Sequence, residues 1–366
     1  MSYPRVEVDT KKIRYNTKIL VEECKKRGIK VVAVTKTFCG NPKIAKAIAE
    51  EEVDILADSR IENLKKLVHI NLPKMLLRLP MISQVEEVVK YADISLVSDI
   101  ITIRELSKEA IKQNKIHSII LMIDLGDLRE GIFNEEEIYI TVKEILDFKS
   151  IKLMGIGTNL SCYGGVIPTY ENLSQLVNIE KNIENKFNIK IEVISGGNSG
   201  SISLFKDNKM PQEINQLRLG ASISLGIGLN DEHIEPLLKD AFKLVVEIVE
   251  VKNKPSVPIG TIGLDAFGNK PFFEDKGIMK RAICAIGRQD ISPDNLIPID
   301  DNISVLGASS DHLLLDITNC NKDYKIGDKI EFNVTFGGCL SVMTSEYVYK
   351  FFSHSFIFLY FNKNII

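Results

Sequence analysis

The chain has 366 residues, 45% of them hydrophobic, and 46 Lys and Arg against 49 Asp and Glu give a formal net charge of -3. That length points to two domains and that apolar content to full cores, while the balanced charge, without a basic stripe or clustered arginines, argues against nucleic acid as a partner. No stretch is long and apolar enough to span a bilayer, and the opening Met1-Ser2-Tyr3-Pro4-Arg5-Val6-Glu7 lacks a signal-peptide core, so the expectation is a cytoplasmic protein with no membrane partner. A strand-like piece at 5–9 comes first. A helix follows over 10–27, opened by an Asp9/Thr10 cap and closed by Gly28. Short apolar strands are then predicted at 31–35, 54–57, 75–79, 94–97, 118–124, 153–158, 191–195 and 216–219. Amphipathic helical segments stand between them at 42–51, 83–90, 100–113, 135–148 and 169–187.

Strands alternating with helices in this way read as a closed parallel (β/α)8 barrel of the TIM type, because parallel pairing needs a crossover at every step. A doubly wound open sheet is the competing arrangement. After about Pro236 the texture changes to short β-branched runs at 241–251, 281–286, 304–307, 312–318, 329–336 and 346–350, separated by Gly, Pro and Asn turns. The reading is therefore a barrel over 10–232 and a smaller, mostly β domain over 233–352, which strand 3–9 can join, with a tail at 353–366. The aromatic run at 356–361 packs as an extra strand or covers a subunit surface. Cys24, Cys39, Cys162, Cys284, Cys320 and Cys339 form no Cys-x-x-Cys pair, which suits reduced thiols and not a disulfide framework or structural zinc site.

Lys36 is the residue that carries most chemistry. It ends the run Val31-Val32-Ala33-Val34-Thr35, which reads as a strand buried on both faces. Desolvation there lowers a lysine's pKa and prepares it to form a Schiff base, although many lysines end strands only because the chain is surfacing. Barrel enzymes work at the C-terminal ends of their strands, and those ends present Lys36, Asp58, Arg78, Arg129, Asn159, Ser195 to Ser199 and Arg218. Two Gly/Ser loops follow the seventh and eighth strands, 195–201 and 219–222, where backbone N–H groups and hydroxyls suit a phosphate. A phosphate at one side of the mouth and a strand-end lysine at the other describe how pyridoxal phosphate is held.

Over nearly its full length the chain resembles the fold-type III pyridoxal phosphate enzymes of the alanine racemase superfamily. Val8-Asp9, a helix containing Asn16 and then Val32-Ala33-Val34-Thr35-Lys36 look like that family's opening and cofactor lysine. Asp124-Leu125-Gly126-Asp127-Leu128-Arg129-Glu130-Gly131 is similar to its Asp-x-Gly-x-x-Arg-x-Gly segment. The resemblance implies cofactor-binding roles for Lys36, Arg129, Asn159 (in place of a ring-stacking histidine), Asn198, Ser199, Arg218, Gly220, Ala221 and the late Tyr347. Arg218 would face the pyridine nitrogen and leave it unprotonated, which favours racemisation over elimination or transamination. The family's opposite-face tyrosine is absent from Ile286-Gly287-Arg288-Gln289-Asp290. His312 and Asp290 are the candidates to replace it, beside Lys36 as the other catalytic base.

With Gly-Arg-Gln-Asp at 287–290 and Ser-Ser-Asp-His at 309–312, the pattern resembles most closely the ornithine racemase branch. The resemblance implies an isomerase of L- and D-ornithine and a homodimer whose sites are completed by the partner's C-terminal domain. The substrate's cationic side chain then needs carboxylates, for which Asp127, Asp290 and Asp311 stand ready, with Arg129 and Ser310 as further contacts; Asp265 is another available carboxylate. The alternatives are a racemase of lysine, alanine or serine, a zinc-assisted D-amino-acid dehydratase or aldolase of the same fold, and a non-catalytic pyridoxal phosphate carrier. Carriers of this barrel type lack a β domain. No metal is predicted, since His312 and Cys339 show no ligand spacing.

Overall fold

A computed structural model describes residues 2–353; the aromatic run at 356–361 lies outside the described residues. The chain divides into two compact units, one from Lys11 to Lys239 and the other joining the segment up to Thr10 to the chain from Asp240 onward.

Strand β1 (Arg5–Asp9) leads into helix α1 (Thr10–Lys25), whose buried Ile13, Asn16, Thr17, Leu20 and Cys24 recur at helical spacing along one face. Strands β2 (Lys30–Val34), β3 (Ile55–Asp58), β4 (Lys74–Leu76), β5 (Ile94–Val97), β6 (His117–Met122), β7 (Ile151–Gly157), β8 (Val193–Ser195) and β9 (Gln216–Leu219) close into a barrel. Each pairs in parallel with the next, and β9 returns to β2 with Lys30 opposite Gln216 and Val32 opposite Arg218. Crossovers are supplied by α2 (Pro42–Ala49), α3 (Ile61–Lys66), α4 (Val85–Tyr91), α5 (Ile100–Lys112), α6 (Glu135–Leu146) and α7 (Tyr170–Phe187). A 3-10 stretch, Ser199–Asn208, links β8 to β9, and α8 (Ala221–Leu225) follows.

Val32, Val34, Ile55, Ala57, Met75, Ile94, Leu96, Ile120, Met122 and Val193 converge in one cluster. They stand two apart wherever a strand gives a pair, and a cluster fed from several strands in that way is the filled interior of a closed barrel. At roughly 1.5–3 kcal/mol for each large aliphatic side chain buried, this layer makes the mouth a rigid platform.

The β unit holds β10 (Phe242–Pro255), β11 (Ile278–Cys284), β12 (Leu296–Pro298), β13 (Ser304–Ala308), β14 (Leu313–Asp316), β15 (Lys329–Val334), α9 (Phe336–Thr344) and β16 (Tyr349–Ser353). The strand order is β12-β15-β10-β11-β14-β13, and β1 pairs antiparallel with β10 and parallel with β16. Leu244, Val246, Ile248, Ile330 and Phe332 are buried at alternate positions, the period of a sheet with one face against a core.

Helices α3, α8 and α9 depart from the sequence reading; α8 begins inside the Gly/Ser loop read at 219–222 and is only five residues long. Helix α3 is six residues long, too short for a periodic signal. Helix α9 contains Gly337 and Gly338, which oppose helix by about 1 kcal/mol each; packing overrides this, as Thr335 Oγ1 caps the Gly338 N–H at 3.2 Å and a Cβ on Gly338 would meet the Asn295 carbonyl oxygen at 2.9 Å.

Candidate active site

Strand β2 stops at Val34, and Lys36 opens a single 3-10 turn, Lys36–Phe38. The turn closes with Cys39 in the left-handed region (φ 54°) and Gly40 after it (φ 59°). A Cβ on Gly40 would lie 2.7 Å from the Asn63 Cβ, so close approach as well as backbone sign requires glycine there. Thr35, immediately before the lysine, donates its hydroxyl to Asp58 Oδ2 at 2.5 Å, and Asp58 Oδ1 accepts from the Asn63 side chain and the Arg60 N–H, each at 3.0 Å. Asp58 is fully buried, and burial raises its pKa despite those donors. This carboxyl fixes the turn that presents Lys36. Burial lowers the pKa of Lys36, and the positive charge of Arg129 acts in the same direction, while Cys162, Asp58 and Glu130 act against it.

The loop after β6 carries Arg129. Asp124 Oδ1 accepts from the N–H groups of Gly126 at 2.8 Å and Leu128 at 3.2 Å, and the chain returns through Ile132 N–H to the Met122 carbonyl at 2.9 Å. A Cβ on Gly131 would meet the Asp124 nitrogen at 2.5 Å. At the apex, Arg129 donates through Nη2 to Glu130 Oε1 at 2.8 Å and through Nε to Glu130 Oε2. Glu130 also accepts from Asn159 Nδ2.

Arg218, on β9, is almost wholly enclosed. Its Nη2 donates to the Thr158 carbonyl at 2.5 Å and to Asn159 Oδ1 at 2.7 Å, and its Nη1 donates to Ser195 Oγ. Burial lowers its pKa to about 10, so it stays cationic at neutral pH. On the other side of the mouth, Ser199 Oγ accepts from the N–H of Ser222 at 3.1 Å and of Gly220 at 3.3 Å and lies 3.0 Å from Ser222 Oγ. Asn198 Oδ1 accepts from the Gly200 N–H at 2.8 Å, and its Nδ2 donates to the Leu160 carbonyl at 2.8 Å.

These features fit pyridoxal phosphate. Backbone amides of Gly220 and Ser222 converge on the Ser199 hydroxyl beside that of Ser222, a cluster of donors that suits a phosphate, and Ala221 stands between them. A desolvated amine and a buried guanidinium complete the groups such a cofactor needs. Lys36, Arg129, Asn159 and Arg218 therefore share one electrostatic network in the barrel, with Asn198, Ser199, Gly220 and Ala221 on the two Gly/Ser loops.

Asp127, expected from the sequence to meet the substrate, is bonded to backbone amides of its own barrel unit. It is 1% exposed, and its carboxylate accepts from the N–H groups of Tyr163 at 2.9 Å, Val166 at 3.0 Å and Cys162 at 3.3 Å. It anchors the loop after β7. Arg78 turns toward Gln84 Oε1 at 3.2 Å, and Asp265 closes its own surface turn by accepting from Asn269 N–H at 2.8 Å.

Within the β unit, the two segments singled out by sequence are laced together. Arg288 N–H donates to the Ser309 carbonyl at 2.9 Å and Gln289 N–H to the Ser310 carbonyl at 3.1 Å. Asp290 Oδ1 accepts from Ser345 Oγ at 2.6 Å, and that hydroxyl accepts from the Tyr347 N–H at 3.1 Å. Ser310 Oγ donates to Asp311 Oδ2 at 2.6 Å. Ser310, Asp311 and His312 are exposed, as is Tyr347.

Comparison with known proteins gives the family. The family model described as alanine racemase, N-terminal domain, matches residues 8–226. The ornithine racemase of Acetoanaerobium sticklandii is 49% identical over 349 residues, covering 95% of this chain and 99% of that protein. The chain belongs to the alanine racemase family. The lysine racemase of Thermotoga maritima is 42% identical over 358 residues, 97% of this chain and 100% of that protein. Among solved structures, the alanine racemase of Bartonella henselae with covalently bound pyridoxal phosphate shares the fold, with a TM-score of 0.74 at 19% identity, covering 96% of this chain and 100% of that one. These family members are racemases, so the activity class is isomerase.

Within this alanine racemase barrel, sequence reasoning misses Glu130 and the Thr35–Asp58–Asn63 anchor. Glu130 stands inside a recognised segment but reads as an ordinary surface charge next to an arginine. Asp58 is visible as a strand end, and only the fold brings Asn63 to it.

Proposed function

We propose that this chain is a pyridoxal phosphate-dependent racemase that interconverts L- and D-ornithine. The observation that carries the cofactor is the pairing of a desolvated lysine, Lys36, with a buried arginine, Arg218, that donates to the oxygens of Ser195, Thr158 and Asn159. The substrate rests on the 49% identity to an ornithine racemase across nearly the whole of both chains. When bound, pyridoxal phosphate supplies an electron sink for the carbanion left at the substrate Cα.

The chain's own residues do the rest. Lys36 would anchor the cofactor and move the Cα proton on one face, and burial shifts its amine toward the neutral form a base needs. Arg218 holds its proton, so beside the ring it would leave the ring unprotonated, which would favour return of the proton to Cα. Arg129 and Asn159 position the ring. Asn198, Ser199, Gly220, Ala221 and Tyr347 hold the phosphate.

The opposite-face proton is assigned to His312, with Asp290 as the competing carrier. His312 is exposed and its side chain is not committed to a hydrogen-bond partner in its own loop, while Asp290 already accepts from Ser345. Ser310, Asp311 and Asp290 supply oxygen for the distal ammonium of the substrate. A cytoplasmic homodimer, each site completed by the partner's β unit, accounts for acid and base groups that lie outside the barrel in sequence. Chiral chromatography of ornithine, lysine, alanine and serine after incubation with the enzyme tests this. Ornithine is expected to turn over fastest, and faster turnover of alanine would overturn the substrate assignment.

A further inference from the structure

The racemase reading leaves one nearly buried carboxylate without a task. Glu130 has a side chain only 13% exposed, and its two oxygens are shared between Arg129 and Asn159. Asn159 is bound on its other side by Arg218, at 2.7 Å from Oδ1. An arginine only donates and a carboxylate only accepts, so the amide of Asn159 satisfies both neighbours in one orientation alone, with its oxygen toward Arg218 and its NH2 toward Glu130. The other groups to which Arg218 donates, Ser195 Oγ and the Thr158 carbonyl, are neutral. A buried guanidinium flanked by neutral oxygens draws on the nearest carboxylate it can reach through a polar relay.

From this geometry we propose that Glu130 is a positioning residue for racemisation: it is the shared counter-ion of Arg129 and Arg218 and the group that locks Asn159 in the orientation the ring requires. The inference rests on the reading of the site as a pyridoxal phosphate centre. It makes Glu130 a residue that acts through others, since its oxygens are occupied by Arg129 and Asn159. The charge it supplies reaches Lys36 as well, in the direction that favours the protonated amine.

The test is Glu130→Gln in the holoenzyme, read by titrating the visible absorbance of the bound pyridoxal phosphate against pH. The new amide nitrogen would confront a donor on Arg129 or Asn159, and the negative charge would be gone. The absorbance midpoint is expected to move to lower pH by about half a unit or more, with kcat reduced about 10- to 100-fold and KM for ornithine much less changed. The double variant Glu130→Gln/Asn159→Asp returns a carboxylate next to Arg218 and is expected to bring the midpoint back toward that of the parent enzyme. An unchanged midpoint in Glu130→Gln overturns the proposal, whatever happens to the melting temperature. Should that variant fail to fold, Glu130→Asp keeps the charge and withdraws it by one methylene; it is expected to lower kcat with little change in midpoint, and a parental kcat would overturn the positioning role. Parent enzyme that carries no chromophore would contradict the racemase reading itself, not this inference.

Discussion

The barrel mouth and the loops of the β unit hold comparable numbers of polar groups in opposite physical states. In the barrel, Lys36, Asp58, Asn159 and Arg218 are buried or half-buried, and Asp58, Asn159 and Arg218 are tied to the fold by fixed neighbours, so their electrostatics are set before any ligand arrives. In the β unit, Ser310, Asp311, His312 and Tyr347 are exposed, and the bonds that hold their loops run mainly through backbone. A catalytic group prepared by desolvation has to sit on rigid strands, whereas a group that meets a variable substrate side chain is better placed on solvated loops. On the proposed function, the contrast would put cofactor chemistry and one proton carrier in the barrel, and substrate contacts and the other proton carrier on the loops.

That division breaks most visibly at Lys36. Lys36→Ala should lower racemisation about 1,000-fold or more and abolish covalent cofactor attachment, read by activity and absorbance together; substantial activity in that variant would move the chemistry elsewhere. Next in size, Arg218→Gln should lower racemisation about 100-fold and destabilise the barrel by ~2 kcal/mol, because it leaves Ser195, Thr158 and Asn159 with an unmatched partner. Keto-acid by-product should rise in the same variant, and a product ratio equal to that of the parent would argue against the role given to this arginine. For the loops, His312→Gln should cost about 100-fold in net racemisation yet leave solvent exchange of the Cα hydrogen for one enantiomer of ornithine, the one served by Lys36. Loss of exchange for both enantiomers, or an equal effect confined to Asp290→Asn, would exchange the roles of these two residues.

The smallest effect concerns stability. Burial works against ionisation of Asp127, but the N–H groups of Tyr163, Val166 and Cys162 outweigh it and hold its carboxyl below the usual range. A depressed carboxyl contributes stability above its unfolded pKa and loses it as pH falls through the folded one. Asp127→Asn should therefore cost on the order of 1 kcal/mol at neutral pH, with the gap from the parent closing below about pH 4, as followed by chemical denaturation. A gap that widens in acid would contradict the anchor.

Much of this architecture is legible in the sequence because a barrel strand buried on both faces is an uninterrupted apolar run. Lys36 stands out as an ammonium at the C-terminal end of such a run. Burial alone does not single it out: Lys74 is also buried with a lowered pKa, yet it lies at the N-terminal end of β4 and its amine donates to the Ile70 carbonyl at 2.7 Å. Position along the strand separates the two. What stays hidden are pairings between distant segments, such as Asp127 with the loop at 162–166 and Thr35 with Asp58. A carboxylate that serves backbone amides leaves no mark in the sequence distinguishing it from one waiting for a ligand. The backbone role of Asp127 goes unseen for that reason, and Glu130 escapes notice because its partner Asn159 is 29 residues away.

The most direct measurement is borohydride reduction of the purified protein followed by peptide mapping. The account predicts a phosphopyridoxyl group on the peptide containing Lys36, displaced by prior incubation with ornithine and borohydride-stable thereafter only on the substrate. Racemase activity in a preparation whose label falls on another lysine, or on none, would contradict it.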